Sequence, residues 1–144
     1  RKSWLQHMES KNETLPTFIV WKKQAENHKA PYKVAIMHSD SAIEYGRKAW
    51  RNYMEEEGIL HETSTPYRQG GNGAIEVRGR VVGYAARAMI LFSSVPDSDT
   101  PDAFSHANTC VNNFPTRANA KQATPNEIWY GVKLQMSKRL CRGI

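Results

Sequence analysis

Tyr32-Lys33-Val34-Ala35-Ile36-Met37, running into His38-Ser39-Asp40, is the stretch on which the fold turns. Its first six residues are dense in apolar side chains, as in a strand covered on both faces by helices. The run ends in a polar triplet whose last member is a carboxylate. Open α/β sheets place their active sites just beyond the carboxyl ends of their strands, so Asp40 stands where chemistry is expected.

On the N-terminal side, Pro31 breaks the chain before this strand. Thr14 can cap a helix running to about Asn27, with Pro16 tolerated in the first turn. Phe18, Ile19, Trp21 and Ala25 give that helix an apolar side, and Trp4 to Met8 reads as a further short strand. On the C-terminal side, Ala49, Trp50, Tyr53 and Met54 fall at helical spacing within a helix from about Arg47 to Glu57. Gly58 sits at its stop. Ile59-Leu60 is a brief apolar link or strand. Ser64 to Gly73 holds three Gly and one Pro in ten residues, the composition of a loop. A long helix follows from about Asn72 to Leu91. Thr100-Pro101-Asp102, a cap followed by Pro at the first helical position, opens another to about Asn112. Thr124-Pro125-Asn126-Glu127 has the spacing of a capping box and opens a short helix through Tyr130 to Gly131. The sum is a helix-rich α/β fold in one domain, 1–144.

The bulk properties agree. A chain of 144 residues, 40% hydrophobic with four Trp, can bury a core. The formal charge of +6 and pI near 9.4 favour polyanionic partners such as nucleic acid, without choosing among them. No apolar run reaches the roughly 20 residues a membrane span needs, so no membrane partner is expected. Cys110 and Cys141 form no CxxC and have no nearby His pair, so free thiols are expected rather than a zinc site. The five His are scattered. Arg1-Lys2-Ser3-Trp4 carries neither initiator Met nor signal pattern and reads as if cut from something longer.

Asp40 has a companion. Glu76 falls in the first turn of the long helix, directly after the glycine loop, with thirty-five residues between the two acids. Carboxylates from separate elements supply the hard oxygen ligands that divalent cations prefer. A metal pair about 3.5–4 Å apart serves phosphodiester chemistry. The competing reading is that Asp40 caps a helix and Glu76 serves a helix dipole. Along the long helix, positions 76, 80, 83 and 87 share a face. Glu76, Arg80 and Arg87 therefore form a polar stripe, and Val81, Val82, Ala85, Ala86 and Met89 a core-facing band. Such a stripe suits a phosphate backbone. It equally suits a solvated face with a Glu76–Arg80 pair and an internal ion pair for Arg87. Arg78 projects among the apolar positions, and spacing gives it no role.

These residues resemble a known family, the copia-type LTR retrotransposon integrases, whose cores have a ribonuclease H-like fold. His38-Ser39-Asp40-Ser41-Ala42-Ile43-Glu44-Tyr45 resembles the segment around the second catalytic Asp. Gly58-Ile59-Leu60-His61, Thr65-Pro66-Tyr67 and Asn72-Gly73-Ala74-Ile75-Glu76 resemble the stretch leading to the catalytic Glu. Ala86-Arg87-Ala88-Met89, Asn112-Asn113-Phe114-Pro115-Thr116 and Thr124-Pro125-Asn126-Glu127-Ile128-Trp129-Tyr130-Gly131 are similar to later family segments, in the family's order.

The resemblance implies that Asp40 and Glu76 are the second and third acids of a DDE triad, ligating Mg²⁺ or Mn²⁺. It also implies donor-end processing and strand transfer between element ends and target DNA, by a homo-oligomer acting in the nucleus or a cytoplasmic particle. Asn72 and Gly73 would then shape the loop near the DNA end, and Arg68, Arg80 and Arg87 would touch DNA. The family's first catalytic Asp precedes the position matching Arg1. The expected fold is therefore a three-layer core lacking its first strands, with about 4–95 holding the two acids and about 96–144 the C-terminal helices. Ser41, Ala42 and Ile43 replace the family's Asn-Gly-Gly, Gln69 stands where Pro is common, and Val77 and Gly79 replace an Arg and an Asn. Those departures imply a weak or inactive fragment. The alternative function is a non-catalytic remnant that binds nucleic acid or self-associates.

Overall fold

The computed structural model describes residues 2–40, 48–63, 73–93, 96–117 and 119–132. The chain divides into two compact units, Gln6–Val77 and Arg1–Leu5 with Arg78–Ile144.

In the first unit, Ser10 caps a 3-10 turn, Lys11–Glu13, that leads into helix α1, Thr14–His28. Thr14 is thus the first helical residue rather than the cap. Its hydroxyl donates back to Lys11 O at 2.6 Å, closing the preceding turn. Strand β1, Ile36–Ser39, is followed by helix α2, Lys48–Glu57, and strand β2, Leu60–Thr63. β1 and β2 pair in parallel with Ile36 opposite Leu60 and Ser39 opposite Thr63, forming a β–α–β unit. Gly58 at φ +66° ends α2, and Ile59 N–H reaches back to Met54 O at 2.8 Å.

The strand begins four residues later than the apolar run that announces it, and it is not covered on both faces. Among the described residues the sheet has two strands. Alternation puts Met37 and Ser39 on one face with His61, while Ile36 and Leu60 lie on the other and stay half exposed. Met37 joins Leu15, Phe18, Val34 and Tyr53 around buried Trp50, Met54 and Ile59. Phe18 is the hub of the aromatic packing, with ring centroids 5.7 Å from Trp21 and 5.3 Å from Trp50.

Helix α3, Gly73–Ser93, has its first turn in the first unit and the rest in the second, where it supplies Val82 and Ala86, buried with Ala107 of α4, Thr100–Asn113. Ala85, Met89, Phe104 and Val111 pack around them. Val81, expected in this band, is 45% exposed. It belongs instead to a second apolar seam of Val77, Val81, Tyr84 and Leu91, all exposed. Thr124 and Glu127 form the expected capping box at the start of α5, Pro125–Tyr130: Glu127 N–H donates to Thr124 Oγ1 at 3.0 Å, and Thr124 N–H to Glu127 Oε2 at 2.8 Å. Gly131, at φ +71°, closes it.

Trp4 to Met8 is not a strand. The pairing that a ladder would give is supplied to Ser3 by a side chain. Ser3 N–H donates to Asn112 Oδ1 at 3.0 Å, and Asn112 Nδ2 donates to Ser3 O at 2.7 Å. Trp4 then packs edge-on against Trp129, centroids 4.8 Å apart, and Lys2 Nζ sits 3.9 Å from the Tyr130 ring centroid. Side chains thus clamp this end of the chain. Among the described residues no helix is long and apolar enough to cross a membrane.

Candidate functional site

Asp40 immediately follows β1 and is exposed. Strand pairing with β2 carries the backbone to this point, so the end of the ladder presents the carboxylate. Beneath it Ser39 is buried, 7% exposed. Its hydroxyl donates to Asp40 O at 2.9 Å and lies 2.8 Å from His61 Nε2. Beside it His38 Nδ1 stands 3.1 Å from Glu62 Oε2, an exposed pair across the parallel register. Such exposed pairs add little stability.

Glu76 lies in the first turn of α3 and is exposed, where the helix dipole favours a negative charge. Asp40 and Glu76 belong to the same compact unit. Gly73 is the first residue of α3. Arg80 and Arg87 are both exposed on that helix. Among the described residues, neither the Glu76–Arg80 pair nor an ion pair of Arg87 forms. The polar stripe therefore faces solvent with its charges uncommitted to one another. Arg68 and Asn72, also expected at the site, lie outside the described residues, as does Cys141; Cys110 is free.

The donor set fits a hard divalent cation in kind, because exposed carboxylate oxygens are what Mg²⁺ takes alongside its waters. Among the described residues no group of three or more His, Cys, Asp or Glu gathers to hold a metal ion.

Arg78, which spacing left without a role, is structural. Its Nη2 donates to Asn112 Oδ1 at 2.8 Å and its Nε to Ser3 Oγ at 3.1 Å. Burial lowers its pKa from the usual arginine value. Asn112 is 4% exposed and ties these groups together. Sequence reasoning missed that role because its partners lie far away in the chain. The Ser39–His61 pair was missed for a related reason: it depends on the parallel register that sets Met37 opposite His61.

Comparison with known proteins adds ancestry to this geometry. No family model matches the chain. It is 31% identical over 116 residues, 81% of its length, to the retrovirus-related Pol polyprotein from transposon RE2 of Arabidopsis thaliana. It is 24% identical over 137 residues to that from transposon TNT 1-94 of Nicotiana tabacum. The chain spans only 8% and 10% of those relatives' lengths. Among solved structures it is similar to the HTLV-2 integrase catalytic core domain in complex with magnesium, trimeric form, with TM-score 0.60, 16% identity and coverage of 84% of this chain and 70% of that one. The catalytic core domain of BIV integrase gives TM-score 0.61 and 21% identity, covering 88% and 76%. The simian T-cell lymphotropic virus intasome in complex with PP2A regulatory subunit B56 gamma gives TM-score 0.66 and 16% identity, covering 90% and 44%. With two parallel strands and five helices among its described residues, the chain is homologous to a segment of the retrovirus-related Pol polyproteins of plant transposons and has the incomplete α/β, ribonuclease H-like fold of a retroviral integrase catalytic core.

Proposed function

We propose that this chain is the part of a transposon integrase that offers Asp40 and Glu76 to a divalent metal ion at a DNA phosphate, within a DDE-type polynucleotidyl transferase. One observation carries the reading: both carboxylates are exposed at the ends of their elements, Asp40 after a parallel strand and Glu76 in the first turn of a helix, within one compact unit. The magnesium complex of the HTLV-2 core supports the choice of cation, with Mn²⁺ as its close substitute.

In this role Asp40 supplies a ligand from a backbone fixed by strand pairing, and Glu76 supplies one from the first turn of a helix. Bound Mg²⁺ supplies Lewis-acid stabilisation of the charge that develops on phosphodiester oxygens. Arg80 and Arg87 neutralise DNA phosphates along α3, and the resemblance adds Gly73, Arg68 and Asn72 to the DNA-binding residues. The intasome and trimer among similar structures support action by a homo-oligomer. On this reading the parent protein works with element DNA in the nucleus or a cytoplasmic particle.

Calorimetric titration of Mn²⁺ into the chain tests the site. Asp40→Asn and Glu76→Gln should each weaken binding by at least about tenfold without lowering the melting temperature. Binding that survives both substitutions refutes the assignment. The exposed Arg80 and Arg87 favour a second reading, a basic module that binds nucleic acid without catalysis. DNA affinity with a steep salt slope and no gain from Mg²⁺ would select it.

A further inference from the structure

The polar groups behind Asp40 are arranged in a direction. Ser39 is buried, and its hydroxyl has one proton to give. That proton is directed at the carbonyl oxygen of Asp40, 2.9 Å away. His61 Nε2 lies 2.8 Å from the same hydroxyl, and with the ring proton on Nε2 it donates the second bond. The half-buried His61 ring is delivered from β2 by the register that pairs His61 with Met37. In that tautomer the bonds run from His61 Nε2–H to Ser39 Oγ–H to Asp40 O.

We infer that His61 and Ser39 are positioning residues for Asp40. They fix the peptide that leaves β1 and thereby aim the carboxylate, without touching metal or DNA themselves. The inference rests on the reading of Asp40 as a metal ligand. The physical reason is general: a bond from a buried hydroxyl to a residue's own carbonyl fixes the peptide at that residue. Groups that orient a ligand in this way change metal affinity by about 10–100-fold.

Nitrogen-15 NMR of the histidine rings, combined with Mn²⁺ calorimetry on the whole chain, tests this. With its ring neutral, His61 should be the Nε2–H tautomer. Ser39→Ala should change the Asp40 carbonyl carbon shift. Ser39→Ala and His61→Ala should weaken Mn²⁺ binding about tenfold. Ser39→Thr and His61→Gln, which keep a hydroxyl and an N–H donor, should restore most of it. A simple packing role would lower the melting temperature in all four variants without that rescue. An Nδ1–H tautomer, or Mn²⁺ affinity within twofold of wild type in both alanine variants, overturns the positioning role alone. A wild-type chain that binds no Mn²⁺ overturns the metal reading with it.

Discussion

Lys22 Nζ lies 2.8 Å from Glu57 Oε2 and 3.1 Å from Glu26 Oε2, so one ammonium ties the middle of α1 to the last residue of α2. The Lys22 side chain is 7% exposed, against 19% for Glu26 and 43% for Glu57. Glu26 also accepts the Val34 N–H at 2.9 Å, which draws the approach to β1 into the same cluster. These groups border the Trp50–Met54–Ile59 core, whose side chains belong to α2 and the segment entering β2. The cluster therefore acts at the base of the β–α–β unit, whose first strand ends just before Asp40.

Removing the ammonium should be costly. Lys22→Met keeps the apolar stem but leaves two carboxylates close together without a cation. A fully buried pair broken in this way costs about 3–5 kcal/mol. Because Glu57 is 43% exposed, solvent screening reduces the expected loss to about 2 kcal/mol. Urea denaturation should show a lower midpoint with an unchanged slope. The double variant Lys22→Met/Glu57→Gln should recover part of the loss, because it removes one of the stranded charges.

The same cluster sets a pH dependence. The Val34 N–H holds the Glu26 carboxyl below the usual carboxylate range; burial opposes this and Lys22 reinforces it. A folded pKa below the unfolded one means that stability is present above the unfolded pKa and lost as pH falls through the folded one. For Lys22, burial alone would lower the pKa, but the hydrogen bonds to Glu57 and Glu26 outweigh it and the pKa is raised. Its contribution is fully present below the unfolded pKa and lost as pH rises through the folded value. Burial likewise raises the Tyr53 pKa, against the opposing charge of Lys22, and works in the same alkaline direction. Unfolding free energy should be flat from about pH 5 to 9 and fall on either side. Glu26→Gln should flatten the acid limb. Lys22→Met should flatten only part of the alkaline limb, leaving the share of Tyr53.

What could be read from the sequence was whatever is set by neighbouring residues. The Thr124–Glu127 capping box, the stops at Gly58 and Gly131, and Pro101 in the first turn of α4 all follow from local rules and stand, although Asp99 and not Thr100 holds the cap position of α4. The placement of Asp40 after a strand and Glu76 in a first turn was legible for the same reason. The choice between apolar seams on α3 was not. Val82, Ala86 and Met89 repeat at helical spacing, and so do Val77, Val81, Tyr84 and Leu91. Periodicity shows that both seams exist, and only packing against Ala107 shows which one is covered. Trp4 to Met8 has strand-forming side chains, yet Ser3 takes its pairing from Asn112, 109 residues away. No local rule reports that distance. The apolar position of Arg78 was a usable clue to burial, although the identity of its partners was not.

Asn112 should accordingly be a stability residue. Its amide serves both backbone groups of Ser3 and accepts from Arg78. Asn112→Ala takes one bond from each of three groups, at about 1 kcal/mol each. The Ser3 N–H loses its Asn112 acceptor, while Ser3 O keeps Asn108 Nδ2 and Arg78 keeps Val111 O. A loss of about 2–3 kcal/mol in thermal or chemical denaturation is expected, after partial rescue by water. Arg78→Lys should cost less, about 1 kcal/mol, because a single ammonium cannot reach Ser3 and Asn112 with the fork of a guanidinium. Neither change should alter Mn²⁺ affinity, since these groups serve the clamp on Ser3. A Mn²⁺ effect as large as that of Asp40→Asn would contradict that division of labour.

Arg80 and Arg87 make the opposite case, exposed side chains whose removal should leave stability within about 0.5 kcal/mol of wild type. Their value lies in phosphate neutralisation. Each phosphate neutralised on duplex DNA contributes about 0.9 to the slope of log affinity against log salt. Arg80→Ala and Arg87→Ala should therefore each reduce the slope by about one, and the double variant by about two. Fluorescence anisotropy with a labelled duplex, read from about 50 to 200 mM NaCl, measures this directly. The loss should be the same for unrelated duplex sequences, because phosphate binding carries no base information. A slope unchanged in the double variant would mean that this face of α3 is solvated in the complex, and the DNA surface would then have to lie elsewhere on the chain.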